Sequence, residues 1–175
     1  RGAIHNMTAS EVRAVRLEDG HAIPTLSEVL EELGPALLVN VELKSPRTFG
    51  GQLLAWEVAQ LVTRHALGER VLVSSFNPVT LAAFRACSPS TPTAFLFASE
   101  QSLPLRLGWP ARLLRPRAVH PEHVLATAKS VARWHALGFS VNAWTVDDEG
   151  AIRRLCHAGV DGIVTNDPAR ARGYL

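Results

Sequence analysis

The sequence lacks most of the features that assign a protein to a narrow class at first sight. It has two cysteines, Cys87 and Cys156, and neither has a partner at zinc or redox spacing. We expect both to be free thiols buried in helices. Runs of like charge are also missing, and 18 basic residues against 16 acidic ones leave a net charge of +2. Nucleic acid is therefore not expected as a partner.

Long apolar stretches and targeting segments are missing as well. No segment approaches the ~20 apolar residues that a membrane span needs, and no basic stretch followed by an apolar one opens the chain. The first residue is Arg1 and the single methionine is Met7, so we expect the natural N-terminus to lie upstream. We expect a cytoplasmic protein without a membrane span, and no pattern indicates an oligomeric state.

Motifs of well-known catalytic sites are absent too. The sequence contains no Gly-rich phosphate loop, no nucleophile elbow and no zinc motif. None of its seven histidines has a nucleophile or a carboxylate at a diagnostic spacing. His120 and His123 are separated by Pro121 and Glu122, and the proline argues against a metal pair on a helix. We therefore expect no catalytic histidine in this segment.

The features that are present indicate a globular α/β domain. An apolar content of 47% in 175 residues suits one domain. Apolar, strand-like segments alternate with amphipathic helical ones and are joined by short loops. Strands covered by helices are apolar rather than alternating, so this pattern predicts parallel βαβ units. We predict six strands, at residues 37–44, 71–76, 93–98, 117–120, 139–146 and 161–165.

Helix boundaries carry signals of their own. Thr-x-x-Glu capping boxes stand at residues 8–11 and 25–28, and Asn77 before a proline predicts a third helix start. Residues 124–137 read as one helix. Residues 100–117 hold three prolines, and we expect a long connection there with one helical turn.

Two architectures fit six strands in 175 residues. A closed eight-stranded barrel usually takes more than about 200 residues, so the chain would be a barrel lacking two units. The alternative is a complete open sheet of six strands. The residue pattern alone leaves both open.

Glu42 and Lys44 place opposite charges on one face of an otherwise apolar strand. Buried charges need each other, a metal ion or a bound anion to offset their desolvation. At the C-terminal end of a barrel strand they would belong to the active-site face, where a carboxylate suits Mg²⁺ or Ca²⁺ and a lysine suits a phosphate oxygen. The alternative is a solvated ion pair on an edge strand.

Asn142 and Trp144 share one face of the strand predicted at 139–146. A tryptophan near the C-terminal end of that strand is suited to wall a ligand pocket. The alternative is a tryptophan that belongs to the hydrophobic core. The residues alone do not decide between the two.

Five segments together resemble the glycerophosphodiester phosphodiesterase family, in its order and at about its spacing. They are IPTLSEVL at 23–30, VELK at 41–44, VSSFNP at 73–78, VNAWTVDD at 141–148 and GVDGIVTNDP at 159–168. The resemblance implies a TIM-type (β/α)8 barrel that hydrolyses glycerophosphodiesters to glycerol 3-phosphate and an alcohol. It makes residues 1–175 a single partial barrel domain, truncated at the N-terminus, with about six of the eight strands.

The resemblance also implies roles for individual residues. Glu42 matches a family ligand of a divalent metal, Mg²⁺ or Ca²⁺, and Lys44 matches the phosphate-facing lysine beside it. Trp144 matches a wall of the substrate pocket, and Asn142 is a weaker neighbour. The expected partner is a small-molecule glycerophosphodiester.

The sequence departs from the family pattern in one respect. The family's His-Arg-Gly opening, its Glu-x-Asp pair and its His-Asp motif are not found in this chain. We therefore expect the segment alone to be inactive and the parent chain to be the phosphodiesterase. The alternatives are a non-catalytic barrel remnant or binding module, and a phospholipase-D-like barrel phosphodiesterase.

Overall fold

A computed structural model describes residues 4–45 and 50–174 of the chain. These residues form one sheet of six strands that are parallel and pair in sequence order. Parallel neighbours need a crossover connection, and helices supply it in every case. The strands are β1 (Val39–Glu42), β2 (Val71–Ser75), β3 (Thr93–Phe97), β4 (Ala118–Pro121), β5 (Ser140–Ala143) and β6 (Gly162–Ile163). All six lie where the sequence predicts them.

The helices lie before, between and after the strands. They are α1 (Ala9–Ala14), α2 (Leu26–Leu33), α3 (Gln52–Arg64), α4 (Pro78–Cys87), α5 (Leu103–Arg106), α6 (Trp109–Leu114), α7 (Ala128–Ala136), α8 (Glu149–Ala158) and α9 (Pro168–Arg172), with 3-10 turns at Ile4–Asn6 and His123–Leu125. Within the described ranges, no helix is long and apolar enough to cross a membrane.

Helix starts follow the predicted capping residues. Thr8 and Thr25 each form a capping box with a glutamate three residues later. The Asn77 side chain accepts hydrogen bonds from the backbone N–H groups of Val79 and Thr80, at 2.9 and 3.3 Å. Each cap satisfies N–H groups that the first helical turn leaves without a partner.

The two faces of the sheet differ in chemistry. One face is apolar and is buried against the helices through Val71, Val73, Phe95, Phe97, Val119 and Val141. The strand register sets the other face, because successive side chains alternate between faces. Glu42 lies beside Ser74, and Leu96 lies beside His120. Polar and charged side chains therefore collect on this second face.

The sheet curls around that second face. Asn40 on β1 and Val164, which follows β6, line the same cavity, although β1 and β6 lie at opposite ends of the strand order. Within the described ranges, β1 pairs only with β2 and β6 only with β5. The parallel α/β class is confirmed, and the curvature favours a barrel-like arrangement over a flat open sheet.

The cysteine prediction was wrong in part. Cys87 and Cys156 are free, as expected, but both are exposed. In α4 the buried face is taken by Leu81 and Phe84, and in α8 it is taken by other apolar residues. A thiol at the end of each helix therefore falls on the solvent side.

Two helix predictions also differ from the structure. The helix predicted at 124–137 is interrupted, because the Thr127 hydroxyl accepts from the Ser130 backbone N–H and starts α7 there. The connection at 100–117 holds two short helices rather than one turn. Gly108 separates them with a φ of +67°, a left-handed conformation that glycine adopts at little cost.

Candidate active site

A cavity of about 290 Å³ lies where the strands end. Its lining comes from β1, β3 and β4 and from the segments that follow β1, β2, β5 and β6: Asn40, Glu42, Lys44, Phe76, Leu96, His120, Trp144, Thr145 and Val164. In parallel α/β folds the C-terminal ends of the strands carry the ligand sites. The position of this cavity therefore makes it the candidate active site.

Glu42 and Lys44 both line this cavity and also an adjoining space of about 780 Å³. Lys44 Nζ lies 3.8 Å from Glu42 Oε2, and the two side chains are 80% and 32% exposed. A pair this exposed stabilises a fold by only about 0–1 kcal/mol. The two charges thus contribute little to folding, and they remain accessible to a ligand that enters either space.

Trp144 forms a fixed wall of the cavity. Its indole Nε1 donates a hydrogen bond of 2.7 Å to the backbone carbonyl of His120. Its ring meets Phe76 edge to face, with ring centroids 5.4 Å apart. The half-buried ring therefore belongs to the cavity wall and is held in one orientation.

Asn142 is not among the described side chains that line the cavity, although it contacts one that does. Its Nδ2 atom is 2.9 Å from Nε2 of His120. A Cβ atom on Gly162 would come within 2.5 Å of the Asn142 side-chain oxygen. The absence of a side chain at Gly162 thus provides the space that the Asn142 amide occupies. Among the described residues, Asn142 contacts the cavity through His120.

His120 lines the cavity, although its sequence context predicts no role for it in a site. The side chain is 3% exposed, and burial lowers the pKa of its imidazole from 6.5 to about 4. The ring is therefore neutral near pH 7. The alternation of side chains along β4 could have indicated its position. The strand register places His120 beside Leu96 on the face of the sheet that lines the cavity.

Comparison with known proteins identifies the family. A sequence model of the glycerophosphoryl diester phosphodiesterase family matches residues 1–170. The chain belongs to this family. The glycerophosphodiester phosphodiesterase of Caldanaerobacter subterraneus subsp. tengcongensis is 30% identical over 151 residues, covering 85% of this chain and 60% of that protein. The resemblance found in the sequence is thus confirmed.

Two further relatives support the same membership in the phosphodiesterase family. The Probable glycerophosphodiester phosphodiesterase 2 of Mycobacterium tuberculosis is 29% identical over 190 residues, covering 99% of this chain and 68% of that protein. A crystal structure from Silicibacter pomeroyi, assigned to the same family, has a TM-score of 0.83 and 27% identity, and the match covers 96% of this chain and 67% of that one. The chain therefore spans about two thirds of the length of these relatives.

Two other carboxylates near the strand ends of this phosphodiesterase-family chain are engaged in loop contacts. Asp147 accepts hydrogen bonds from Thr165 Oγ1, Asn166 N and Asn166 Nδ2, at 2.8, 2.8 and 2.7 Å. These contacts, the Asn166 backbone N–H foremost, lower the pKa of Asp147. Glu122 accepts from the hydroxyl and backbone N–H of Ser99, which lowers its pKa as well. Both carboxylates join neighbouring loops.

The remaining carboxylates do not make up a metal centre. Among the side chains that the structure describes, no three from histidine, cysteine, aspartate or glutamate lie together in a way that could hold a metal ion. Glu42 is the only carboxylate among the described side chains that line the cavity. Mg²⁺ and Ca²⁺ take about six to eight oxygen ligands. The described lining residues therefore offer one carboxylate and do not fit a complete site.

Proposed function

We propose that this chain supplies the phosphate-facing and substrate-walling part of a site that hydrolyses glycerophosphodiesters to glycerol 3-phosphate and an alcohol. One juxtaposition supports the proposal above all others. Glu42 and Lys44 at the end of β1 and Trp144 after β5 line one cavity, in a chain of the phosphodiesterase family.

The three side chains have separate proposed roles. The exposed ammonium of Lys44 binds a phosphoryl oxygen and stabilises negative charge that develops there during cleavage. The fixed ring of Trp144 covers the apolar part of the substrate. Glu42 is one ligand of a divalent ion, Mg²⁺ or Ca²⁺. The other ligands of that ion are not among the described residues.

We further propose that residues 1–175 alone turn over no substrate and that the activity belongs to the whole natural polypeptide. Among the described side chains that line the cavity, none is a charged acid–base partner for Glu42 other than Lys44, and the imidazole of His120 is neutral. The free sides of β1 and β6 and the 67% coverage of the Silicibacter structure support a partial (β/α)8 barrel domain. Removal of an acid–base group costs about 10²–10⁴ in rate.

A binding module without catalysis is the second candidate function. The observation that favours it is that, apart from Glu42 and Lys44, the described lining residues include no charged acid–base group, and His120 is buried and neutral. Such a module would bind glycerophosphodiesters in the cavity and release them unchanged. Nothing in the geometry favours a phospholipase-D-like reaction.

A substitution at Glu42 tests the proposal. In the natural polypeptide, Glu42→Gln is expected to abolish metal-dependent release of glycerol 3-phosphate from glycerophosphocholine and to weaken Mg²⁺ or Ca²⁺ binding in calorimetry. Glu149→Gln is the matched control, because Glu149 forms a surface ion pair with Arg153 in α8. Unchanged turnover in Glu42→Gln would remove Glu42 from the site. Binding of glycerophosphocholine without turnover by the unmutated protein would support the binding module.

A further inference from the structure

The interior end of the cavity is formed by a neutral histidine. His120 is 3% exposed, whereas the Lys44 side chain is 80% exposed. Both side chains line the same cavity. The cavity thus has a charged rim and an uncharged, desolvated interior.

The hydrogen bond from Asn142 selects one tautomer of the His120 ring. The Asn142 amide places Nδ2, a donor, 2.9 Å from Nε2 of the imidazole. A neutral imidazole has one donor and one acceptor nitrogen, so Nε2 accepts and the ring proton lies on Nδ1. The space at Gly162 keeps the amide in that position, since a Cβ there would lie 2.5 Å from the Asn142 oxygen.

The Nδ1–H group then has no acceptor in the described part of the chain. The imidazole makes its one hydrogen bond through Nε2, and His120 is not among the residues with further contacts outside the described ranges. His120 Nδ1 is not among the described side-chain atoms that are buried without a partner, so it is open to the cavity that the ring lines. From there it can donate a hydrogen bond to a bound ligand.

The environment favours an uncharged ligand oxygen as the acceptor. Leu96 lies beside His120 in the neighbouring strand, and Phe76 and Val164 line the same cavity. Apolar lining disfavours a buried anion without a paired cation. Lys44 at the rim is the cation that suits the phosphate. The hydroxyl groups are the uncharged polar groups of the glycerol part of a glycerophosphodiester.

We infer that His120 donates a hydrogen bond from Nδ1 to a hydroxyl oxygen of the substrate's glycerol group, and that Asn142 and Gly162 are positioning residues for its ring. The inference rests on the proposed function for the identity of the substrate. It makes His120 a specificity-determining residue, because a diester without hydroxyl groups would leave the Nδ1–H group without a partner.

Kinetic comparison of two substrates tests the inference. In the natural polypeptide, His120→Phe is expected to lower kcat/KM for glycerophosphocholine by about 3- to 10-fold, the effect of one neutral hydrogen bond. It should leave kcat/KM for bis(p-nitrophenyl) phosphate, which has no hydroxyl group, nearly unchanged. His120→Asn, which places an amide N–H near the former Nδ1, is expected to restore part of the loss. Equal losses on both substrates would overturn the inference.

Nitrogen NMR of the unmutated protein gives an independent reading that needs neither turnover nor a folded variant. The His120 ring is expected to show the Nδ1–H tautomer, and its Nδ1 resonance should shift with glycerol 3-phosphate but not with inorganic phosphate. An Nε2–H tautomer, or an equal response to both ligands, would overturn the inference. A selective response in a protein without turnover would refute the proposed hydrolysis and leave the recognition role standing.

Discussion

The β1 side of the cavity and its β4–β6 side are built in different ways. On the β1 side, Glu42 and Lys44 carry opposite charges and form one long ion pair of 3.8 Å, with side chains that are 32% and 80% exposed. On the opposite side, neutral groups are tied together by hydrogen bonds of 2.7 and 2.9 Å that join Trp144 and Asn142 to His120. A charged, adaptable surface thus faces a neutral, fixed one. The first suits charge stabilisation, and the second suits shape and hydroxyl recognition.

The largest effect is expected on the charged side. Lys44→Met in the natural polypeptide should lower kcat by about 10²–10³, the typical result of removing one group that stabilises transition-state charge, while thermal stability stays unchanged. The chain has one other lysine, Lys129, which is exposed in α7, and Lys129→Met is therefore the matched control. Similar rates for the two variants in a steady-state assay would contradict the proposed role of Lys44.

A smaller effect is expected at Gly162, where the β4–β6 side of the cavity is most tightly packed. Gly162→Ala would force the Asn142 side chain away from its position, at a cost of about 1–3 kcal/mol in the free energy of unfolding. Gly68→Ala serves as the control, because a Cβ there would meet Thr91 Oγ1 at an ordinary 3.9 Å. Urea unfolding of both variants measures the difference. If Gly162→Ala left the free energy of unfolding unchanged, the Asn142–His120 contact would be loosely held.

The indole hydrogen bond of Trp144 contributes less. Trp144→Phe keeps an aromatic wall but leaves the His120 carbonyl without its donor, so the free energy of unfolding should fall by about 0.5–1.5 kcal/mol. Trp109→Phe is the matched control, since Trp109 is 54% exposed. Equal melting temperatures for the two variants would argue that the hydrogen bond does not hold the wall in place.

The smallest effect is expected at Asp147, and it depends on pH. Its folded-state pKa is lowered below the unfolded value of about 3.9, so its contribution is complete above the unfolded pKa and is lost as the pH falls through the folded one. The melting-temperature difference between the unmutated protein and Asp147→Asn should therefore be constant above about pH 5 and shrink at lower pH. A difference that persists at the lowest pH would mean that the carboxylate charge is not involved.

Local signals in the sequence predicted the elements of the fold well. The strands, the capping boxes that begin at Thr8 and Thr25 and the helix start at Asn77 all depend on neighbouring residues. The break before α7 was missed because apolar residues recur at helical spacing on both sides of Thr127. That spacing is a stronger sequence signal than the single capping residue. The cysteines were misplaced because an apolar neighbourhood in sequence does not say which side of a helix meets the sheet.

The site was predictable only where one strand carried an unusual pair of residues. Glu42 and Lys44 stood out against an apolar strand, and Trp144 stood out by its size and by the family resemblance. His120 did not, since its role comes from a register across three strands and from the glycine that makes room for Asn142. Those relationships link residues 20 to 42 positions apart, and no local pattern expresses them.

The sequential strand order has a consequence for biosynthesis. Each strand after the first pairs with the one made just before it, so a strand that leaves the ribosome finds its template already in place. Paired residues on neighbouring strands are 20 to 32 positions apart, so each pairing closes a loop of limited length rather than one that spans the chain. We expect the sheet to grow from β1 towards β6 during translation, and stalled nascent chains ending after β3 should already resist proteolysis at β1 and β2.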